Sequence, residues 1–117
     1  MKKIKLALLT LLASVGVALY SCESNTYEEV AGVVENPTYN ANVKGIINDK
    51  CVSCHNPTYD QSPYLTNYQE VKDACDGTEL LCRIDASCGS VMPTEGKMPQ
   101  YRIKIIQDWA AQGYPEN

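Results

Sequence analysis

Residues 51–55 read CVSCH, which places two thiols beside the single histidine of this 117-residue chain. Just upstream, Val43, Ile46 and Ile47 are spaced so that they share one face of a helix. We therefore expect a helix over residues 40–50 that ends where the motif begins. The motif would then follow a helix C-terminus and open the loop beyond it.

Helical patterns also dominate the rest of the chain, and little of it resembles sheet. Further helices are expected over residues 67–75, 78–85 and 100–112. The last has the clearest pattern, an apolar stripe of helical period formed by Ile105, Ile106, Trp109, Ala110 and Gly113. Gly113 followed by Pro115 is a typical helix stop. The sequence thus predicts an all-α domain of three to five short helices.

The first 21 residues have the layout of a bacterial lipoprotein signal peptide. Three lysines at the N-terminus precede an apolar run from Leu6 to Leu19. Ser21 and Cys22 then resemble a lipobox, in which the cysteine is lipidated and becomes the first residue of the mature protein. An uncleaved anchor helix is the alternative interpretation. We expect an exported chain that a lipid on Cys22 anchors to a membrane, on its periplasmic or cell-surface side.

This layout divides the chain into a signal peptide (residues 1–21), an acidic tether (22–38) and one domain (39–117). Removing the three signal lysines from the ten Lys and Arg leaves seven, against fourteen Asp and Glu, a formal charge of −7. Nucleic acids bind basic surfaces, so this balance argues against a nucleic-acid partner. It suits basic partner proteins or simply favours solubility.

The motif predicts covalently attached haem, because C-x-x-C-H is the attachment sequence for c-type haem. Two thiols separated by two residues can reach two vinyl groups of one porphyrin, and the adjacent histidine can bind the iron. Cys51 and Cys54 would form the thioethers, and His55 would be the proximal ligand. A small domain with no Phe and one Trp has a thin core, to which a buried porphyrin would add apolar contacts.

Three rival interpretations of the motif remain. C-x-x-C also occurs in thiol–disulfide redox sites, which lie at helix N-termini rather than after helices. A zinc site would need further ligands from Cys75, Cys82 and Cys88. The motif could also be a chance feature of a disulfide scaffold, since the chain has six cysteines and is expected to be exported.

The chain resembles the small monohaem cytochromes c of class I over about residues 39–115. In that family the haem motif is followed by L-x-x-Y, by an M-P-x-x-G-K-like turn and by a last helix ending W-[IA]-x-x-G-x-P. Here these elements are residues 51–55, 65–68, 92–97 and 109–115. The resemblance implies a cytochrome c-like fold around one haem c with its iron. It also implies an outer-sphere carrier of single electrons that serves redox partner proteins and is not an enzyme.

The resemblance further implies the second iron ligand. Because the chain has one histidine, the ligand opposite His55 must be a Met, a Lys, water or nothing. Met92 occupies the ligand position of the family. Met98 falls where relatives have an apolar residue, and a core position is the expected one for it.

The first helix departs from the family pattern. Many relatives carry a glycine eight residues before the first haem cysteine, where the first and last helices cross. Here Val43 stands at that position and Gly45 lies nearby. We expect a crossing that is looser or that uses Gly45, with Ile47 and Trp109 as the candidates for the helix contact.

Several other residues have expected roles around the motif. Cys88 is expected to pair with Cys75 or with Cys82, which leaves one thiol over. Pro57 or a near neighbour could offer a carbonyl to the His55 Nδ1 proton. Candidates for the pocket wall are Tyr59, Tyr64, Tyr68 and Tyr101, with ordinary packing as the alternative. Candidates for holding haem propionates are Arg83, Lys97 and Arg102.

Two other functions stay open from the sequence. A haem sensor or haem enzyme would need an open sixth position on the iron, and therefore no bond from Met92. A structural lipoprotein stapled by disulfides would carry no haem at all.

Overall fold

The computed structural model describes residues 33–117. They form a π-helical turn, Tyr39–Val43, and the helices α1 (Lys44–Lys50), α2 (Tyr68–Gly77), α3 (Leu80–Ile84) and α4 (Gln100–Ala111). No strand occurs in this part of the chain, so the all-α prediction is confirmed. The predicted signal peptide, the lipidation of Cys22 and residues 22–32 of the predicted tether lie outside the described residues.

Local sequence explains where the helices begin and end. The Thr38 hydroxyl accepts a hydrogen bond from the Ala41 N–H, and the Asn67 side chain accepts one from the Glu70 N–H. Each of these side chains caps the helical segment that follows it. Gly113 ends α4 with a φ of +81°, a backbone angle that glycine adopts without strain.

The core forms where the π-helical turn packs against α4. The buried Trp109 ring lies 5.9 Å from the Tyr39 ring and 5.0 Å from the Tyr114 ring, measured between centroids. Tyr68 of α2 joins them, 5.4 Å from Tyr39. The indole N–H donates to the Pro115 carbonyl at 2.9 Å, so the one polar atom of Trp109 is paired. These side chains form an aromatic cluster that closes one side of the domain.

Backbone hydrogen bonds beside the aromatic cluster join the start of the π-helical turn to the C-terminal residues. The Tyr39 N–H donates to the Pro115 carbonyl at 2.9 Å, and the Asn40 N–H donates to the Glu116 carbonyl at 3.0 Å. Pro37 is fully buried. The packed part of the chain therefore reaches back to Pro37, into the segment that the sequence assigned to the tether.

The apolar stripe of α4 differs from the predicted one. Its fully buried side chains are Ile103, Ile106 and Trp109. Ile105 is only half-buried and Gly113 is exposed. The prediction was wrong at Gly113 and missed Ile103, whereas Ile105 packs against the core as expected. The helical period fits several overlapping sets of apolar residues. The direction from which the neighbouring elements pack selects one of them.

The first helix does not use Gly45 for a close approach. Gly45 is exposed, and a Cβ built there would meet no atom within 4 Å. Val43, which stands at the family's glycine position, is instead fully buried in the core. The aromatic contact that joins the first and last helical segments is the one between Tyr39 and Trp109. No helix within residues 33–117 combines the length and apolar character needed to cross a membrane.

Candidate functional site

The CVSCH motif forms a tight turn directly after α1. The Cys51 carbonyl accepts hydrogen bonds from the N–H groups of Cys54 and His55, at 3.1 and 2.9 Å. The Asn56 side-chain amide donates to the Val52 carbonyl at 2.6 Å. These short-range bonds gather both thiols and the imidazole into one turn, so the arrangement follows from the motif itself.

The His55 ring is oriented by the loop that follows the motif. Its Nδ1 lies 2.9 Å from the Pro63 carbonyl oxygen, which can only accept a hydrogen bond. Nδ1 must therefore carry the proton, and the lone pair of the neutral ring is on Nε2, where it can bind a metal.

The expected carbonyl partner was Pro57 or a near neighbour, and that expectation was wrong. The partner is Pro63, eight residues beyond the histidine. The loop returns to the motif because the Leu65 N–H donates to the His55 carbonyl at 3.0 Å. A contact made by a returning loop leaves no signal in local sequence spacing.

A cavity of about 420 Å³ lies beside the motif. Cys51 and His55 form part of its wall, together with the apolar side chains of Ile47, Leu65, Leu80, Ile84, Met92 and Pro93. A second cavity of about 260 Å³ shares Cys51, His55 and Met92 with the first and adds Cys54. The volume of the larger cavity and its mainly apolar wall are typical of cofactor and small-molecule sites.

The two methionines have different surroundings. Met92 is half-buried and borders both cavities. Met98 is 5% exposed and belongs to the hydrophobic core. The structure thus brings Met92, and not Met98, to the same space as the thiols and the imidazole of the motif.

The remaining cysteines are used elsewhere. Cys82 and Cys88 form a disulfide, which is one of the two pairings that the sequence left open. Cys75 lies in the core, where burial raises the pKa of its thiol to about 12. Cys51 and Cys54 are free thiols. A zinc site built from all these cysteines therefore finds no support in their positions.

Burial also affects the first thiol of the motif. It raises the pKa of Cys51 to about 11, with a smaller contribution from the nearby Asp49 carboxylate. Thiol–disulfide redox sites instead lower the pKa of their reactive cysteine, commonly at a helix N-terminus. Cys51 follows the C-terminal end of α1. Its surroundings therefore oppose the redox interpretation of the motif.

The tyrosines proposed for the pocket wall lie elsewhere. Tyr68 belongs to the aromatic cluster, and Tyr59 is 71% exposed. The Tyr64 hydroxyl donates to Asp60 at 2.6 Å, and Tyr101 lies beside Arg102. None of the four borders either cavity. The wall is built from aliphatic side chains instead, because the aromatic side chains are used in the core and on the surface.

One of the three proposed propionate partners borders the cavity. Arg83 lies in the wall of the larger cavity, whereas Lys97 and Arg102 are paired with carboxylates on the surface. Lys50, at the end of α1, borders both cavities and was not singled out from the sequence. Its position directly before the motif was the signal that could have identified it.

The residues present fit a covalently held haem. Within residues 33–117, no three His, Cys, Asp or Glu side chains gather as a metal site made only of protein ligands requires. A haem iron takes its equatorial donors from the porphyrin and needs only axial ligands and thioether anchors from the chain. The cavity walls supply two thiols, an imidazole with its Nε2 lone pair available, a thioether and apolar side chains.

Comparison with protein-family models, with curated proteins and with solved structures finds no match for this chain. Its function is therefore argued from the residues around the cavity.

Proposed function

We propose that this chain is a c-type cytochrome, an electron carrier whose single haem c is bound covalently by Cys51 and Cys54. His55 would ligate the iron through Nε2, and Met92 would ligate it through sulfur. The proposal rests on one observation: both thiols, the oriented imidazole and one thioether border adjoining cavities with mainly apolar walls. A thiol–disulfide site or a structural scaffold would use the thiols alone and would not require an imidazole with a fixed orientation.

Haem bound at this site would supply an iron that gains or loses one electron while no bond in the protein is made or broken. The Pro63 carbonyl holds the His55 ring in one tautomer and one orientation, with Nε2 available to the iron. The side chains of Leu65, Leu80 and Ile84 would contribute apolar contacts to the porphyrin ring. A thioether ligand and an apolar wall both favour the reduced state, and the thioether closes the sixth position to substrates. This is the behaviour of a carrier and not of an enzyme.

We further propose that the carrier is exported and anchored through a lipid on Cys22, on the periplasmic or cell-surface side of a membrane. The basic and apolar N-terminus and the lipobox-like residues support this placement. Other redox proteins would donate and accept its electrons. The acidic balance of the chain suits basic partners of that kind.

The test is a pyridine haemochrome spectrum of the mature chain, made in cells that have the c-type maturation machinery. We expect a c-type α-band that survives acid–acetone extraction. The double variant Cys51→Ser, Cys54→Ser should lose the band. Cys75→Ala is the matched control and should keep it, because that thiol lies in the core.

Two other outcomes would overturn the proposal. A wild-type chain without haem, in which Cys51 is joined to Cys54, would be a disulfide-stapled lipoprotein. A haem protein whose reduced form binds carbon monoxide rapidly and completely would have an open sixth position, as a sensor or a haem enzyme requires.

A further inference from the structure

The segment that carries Met92 is bound to α3 along its length. We call residues 85–92 the methionine loop. The disulfide between Cys82 and Cys88 joins the middle of this loop to α3. The Met92 N–H donates to the Arg83 carbonyl at 3.1 Å, so the end of the loop is attached to the same helix. Both attachments are made within one turn of α3.

The Arg83 side chain adds a third attachment. Its Nη1 donates to the Ser90 carbonyl at 3.2 Å. Its Nε and Nη2 both donate to one Glu79 carboxylate oxygen, at 3.0 and 2.7 Å. The carboxylate therefore fixes the guanidinium on the helix while the remaining nitrogen holds the loop. A planar group with several fixed donors can make these bonds together, whereas the ammonium of a lysine cannot reproduce their geometry.

Gly89 lets the guanidinium approach the loop closely. A Cβ built on Gly89 would lie 3.0 Å from Arg83 Cζ and 3.1 Å from each of its Nη atoms. Gly89 also has a φ of +51°, in the left-handed region. The loop backbone and the guanidinium thus lie in direct contact, and any side chain at Gly89 would push the guanidinium away.

We propose that Arg83 is a positioning residue for Met92: it holds the methionine loop against α3 so that the thioether stays at the cavity. This inference rests on the proposed function, because it assigns Arg83 to the iron ligand that the function requires. Arg83 also borders the larger cavity, but its side-chain hydrogen bonds go to Glu79 and to the Ser90 carbonyl. It therefore acts on Met92 through the loop backbone, at Ser90 and at Gly89. A loop held at several points loses less conformational entropy when its thioether binds, so the ligand bond is stronger.

The experiment compares haem-loaded wild-type protein with Arg83→Lys and Gly89→Ala. The first variant removes the planar donor set, and the second displaces the guanidinium while Arg83 itself remains. Gly45→Ala is the matched glycine control, because a Cβ there meets no atom within 4 Å. The measurements are the absorption band of sulfur-ligated ferric iron, the affinity for added imidazole, and hydrogen exchange of the Met92 amide.

We expect both variants to bind imidazole about tenfold more tightly than wild type, the factor that corresponds to one lost hydrogen bond of ordinary strength. The sulfur-to-iron band should weaken in both, and the Met92 amide should exchange faster. Gly45→Ala should match wild type in all three measurements. One variant changes the guanidinium and the other changes the loop residue that it contacts. If one variant misfolds, the other still tests the inference.

The outcomes separate this inference from the proposed function. A wild-type chain without haem overturns the proposed function, and this inference with it. A haem-loaded wild type without the sulfur band shows that Met92 is not a ligand. This outcome overturns the inference and the Met92 ligand of the proposed function, while covalent haem at Cys51 and Cys54 stands. Wild-type imidazole affinity and wild-type Met92 amide exchange in Arg83→Lys and Gly89→Ala would show that the loop is held without Arg83, and would also overturn it.

Discussion

The aromatic cluster and the cavity belong to one small domain but differ in how completely protein atoms fill them. Three tyrosine rings surround Trp109, with centroids 5.0 to 6.2 Å from the indole, and the indole N–H is paired with a carbonyl. Around Cys51, apolar side chains line spaces of about 420 and 260 Å³. Met92, His55 and Cys51 are only half-buried there.

This contrast separates a region that protein atoms complete from a region that the proposed haem would complete. The aromatic cluster is complete with protein atoms, because its members fill the space between the π-helical turn, α2 and α4. The cavity side presents apolar walls to a space that its own side chains do not fill, and apolar surface is stabilised when it leaves water. A porphyrin would cover that surface. We therefore expect substitutions in the cluster to lower the stability of the fold, and substitutions at the cavity to affect binding of the proposed haem.

The largest effect is expected from Trp109→Ala. The side chain is fully buried among aromatic rings, so its removal should lower the free energy of unfolding by about 3–5 kcal/mol. That is a large share of the stability of a domain of this size. Tyr59→Ala, at a residue that is 71% exposed, is the control and should change stability by less than about 0.5 kcal/mol. Denaturant unfolding measures both, and equal effects would remove the distinction between core and surface aromatics.

Substitution of one methionine should affect the stability of the fold, and substitution of the other should affect ligation of the iron. Met98→Ala should lower the free energy of unfolding by about 2–5 kcal/mol, because Met98 is in the core, and should keep the absorption of sulfur-ligated iron. Met92→Ala should lose that absorption and let the reduced iron bind carbon monoxide. Spectra and denaturant unfolding of the haem-loaded variants provide the measurement. If Met98→Ala loses the sulfur band while Met92→Ala keeps it, the ligand assignment is wrong.

A smaller effect, of opposite sign, is expected at Gly45. Gly45 lies in α1, is exposed, and has room for a methyl group. Gly45→Ala should therefore raise the free energy of unfolding by about 0.5–1 kcal/mol, because alanine loses less backbone entropy in a helix. A destabilised variant in denaturant unfolding would mean that α1 needs a close approach at this position after all.

The smallest effect is a pH dependence at the edge of the aromatic cluster. The Tyr114 hydroxyl donates to Asp76 at 2.6 Å, and Lys72 pairs with the same carboxylate. The Tyr114 hydrogen bond, and then Lys72, hold the pKa of Asp76 below its ordinary value. A depressed pKa stabilises the folded state above the pKa of the unfolded chain, about 4, and this stabilisation is lost as pH falls through the folded pKa.

Two substitutions test this dependence. Asp76→Asn removes the carboxylate, and Tyr114→Phe removes its main hydrogen bond. Each should make the unfolding midpoint in denaturant fall less steeply than that of wild type between roughly pH 5 and pH 2. An unchanged slope in both variants would show that other carboxylates cause the acid sensitivity of the domain.

Much of the fold could be predicted because it depends on neighbours in sequence. Helix-forming patterns, caps such as Asn67 and the stop at Gly113 act over a few residues, and the structure places helices close to the predicted bounds. The burial of Val43, Ile46 and Ile47 also followed from their spacing. The full burial of Ile103 was missed, and a close approach at Gly45 was wrong, because both depend on the direction from which other elements pack.

The candidate site also combines features that depend on sequence neighbours with features that depend on distant segments. Adjacency in sequence places both thiols next to the imidazole, and the motif curls through hydrogen bonds within six residues. The hydrogen bond from His55 to Pro63 and the position of Met92 depend on loops that return to the motif. His55 could be assigned from the motif, whereas the choice of Met92 over Met98 came from the family resemblance. The sequence suggested a carbonyl partner for His55 and two pairings for Cys88, but the partners themselves come from the structure.

The sequence by itself determined the helix pattern, the thiol–histidine turn and the small number of large apolar side chains, because each depends on local spacing or composition. Only the tertiary structure decided that Cys88 pairs with Cys82, that Pro63 orients His55, and that the guanidinium of Arg83 rests against Gly89. Such contacts join segments that hydrophobic packing brings together in space. Their partners are selected by the path of the folded chain and not by distance along it.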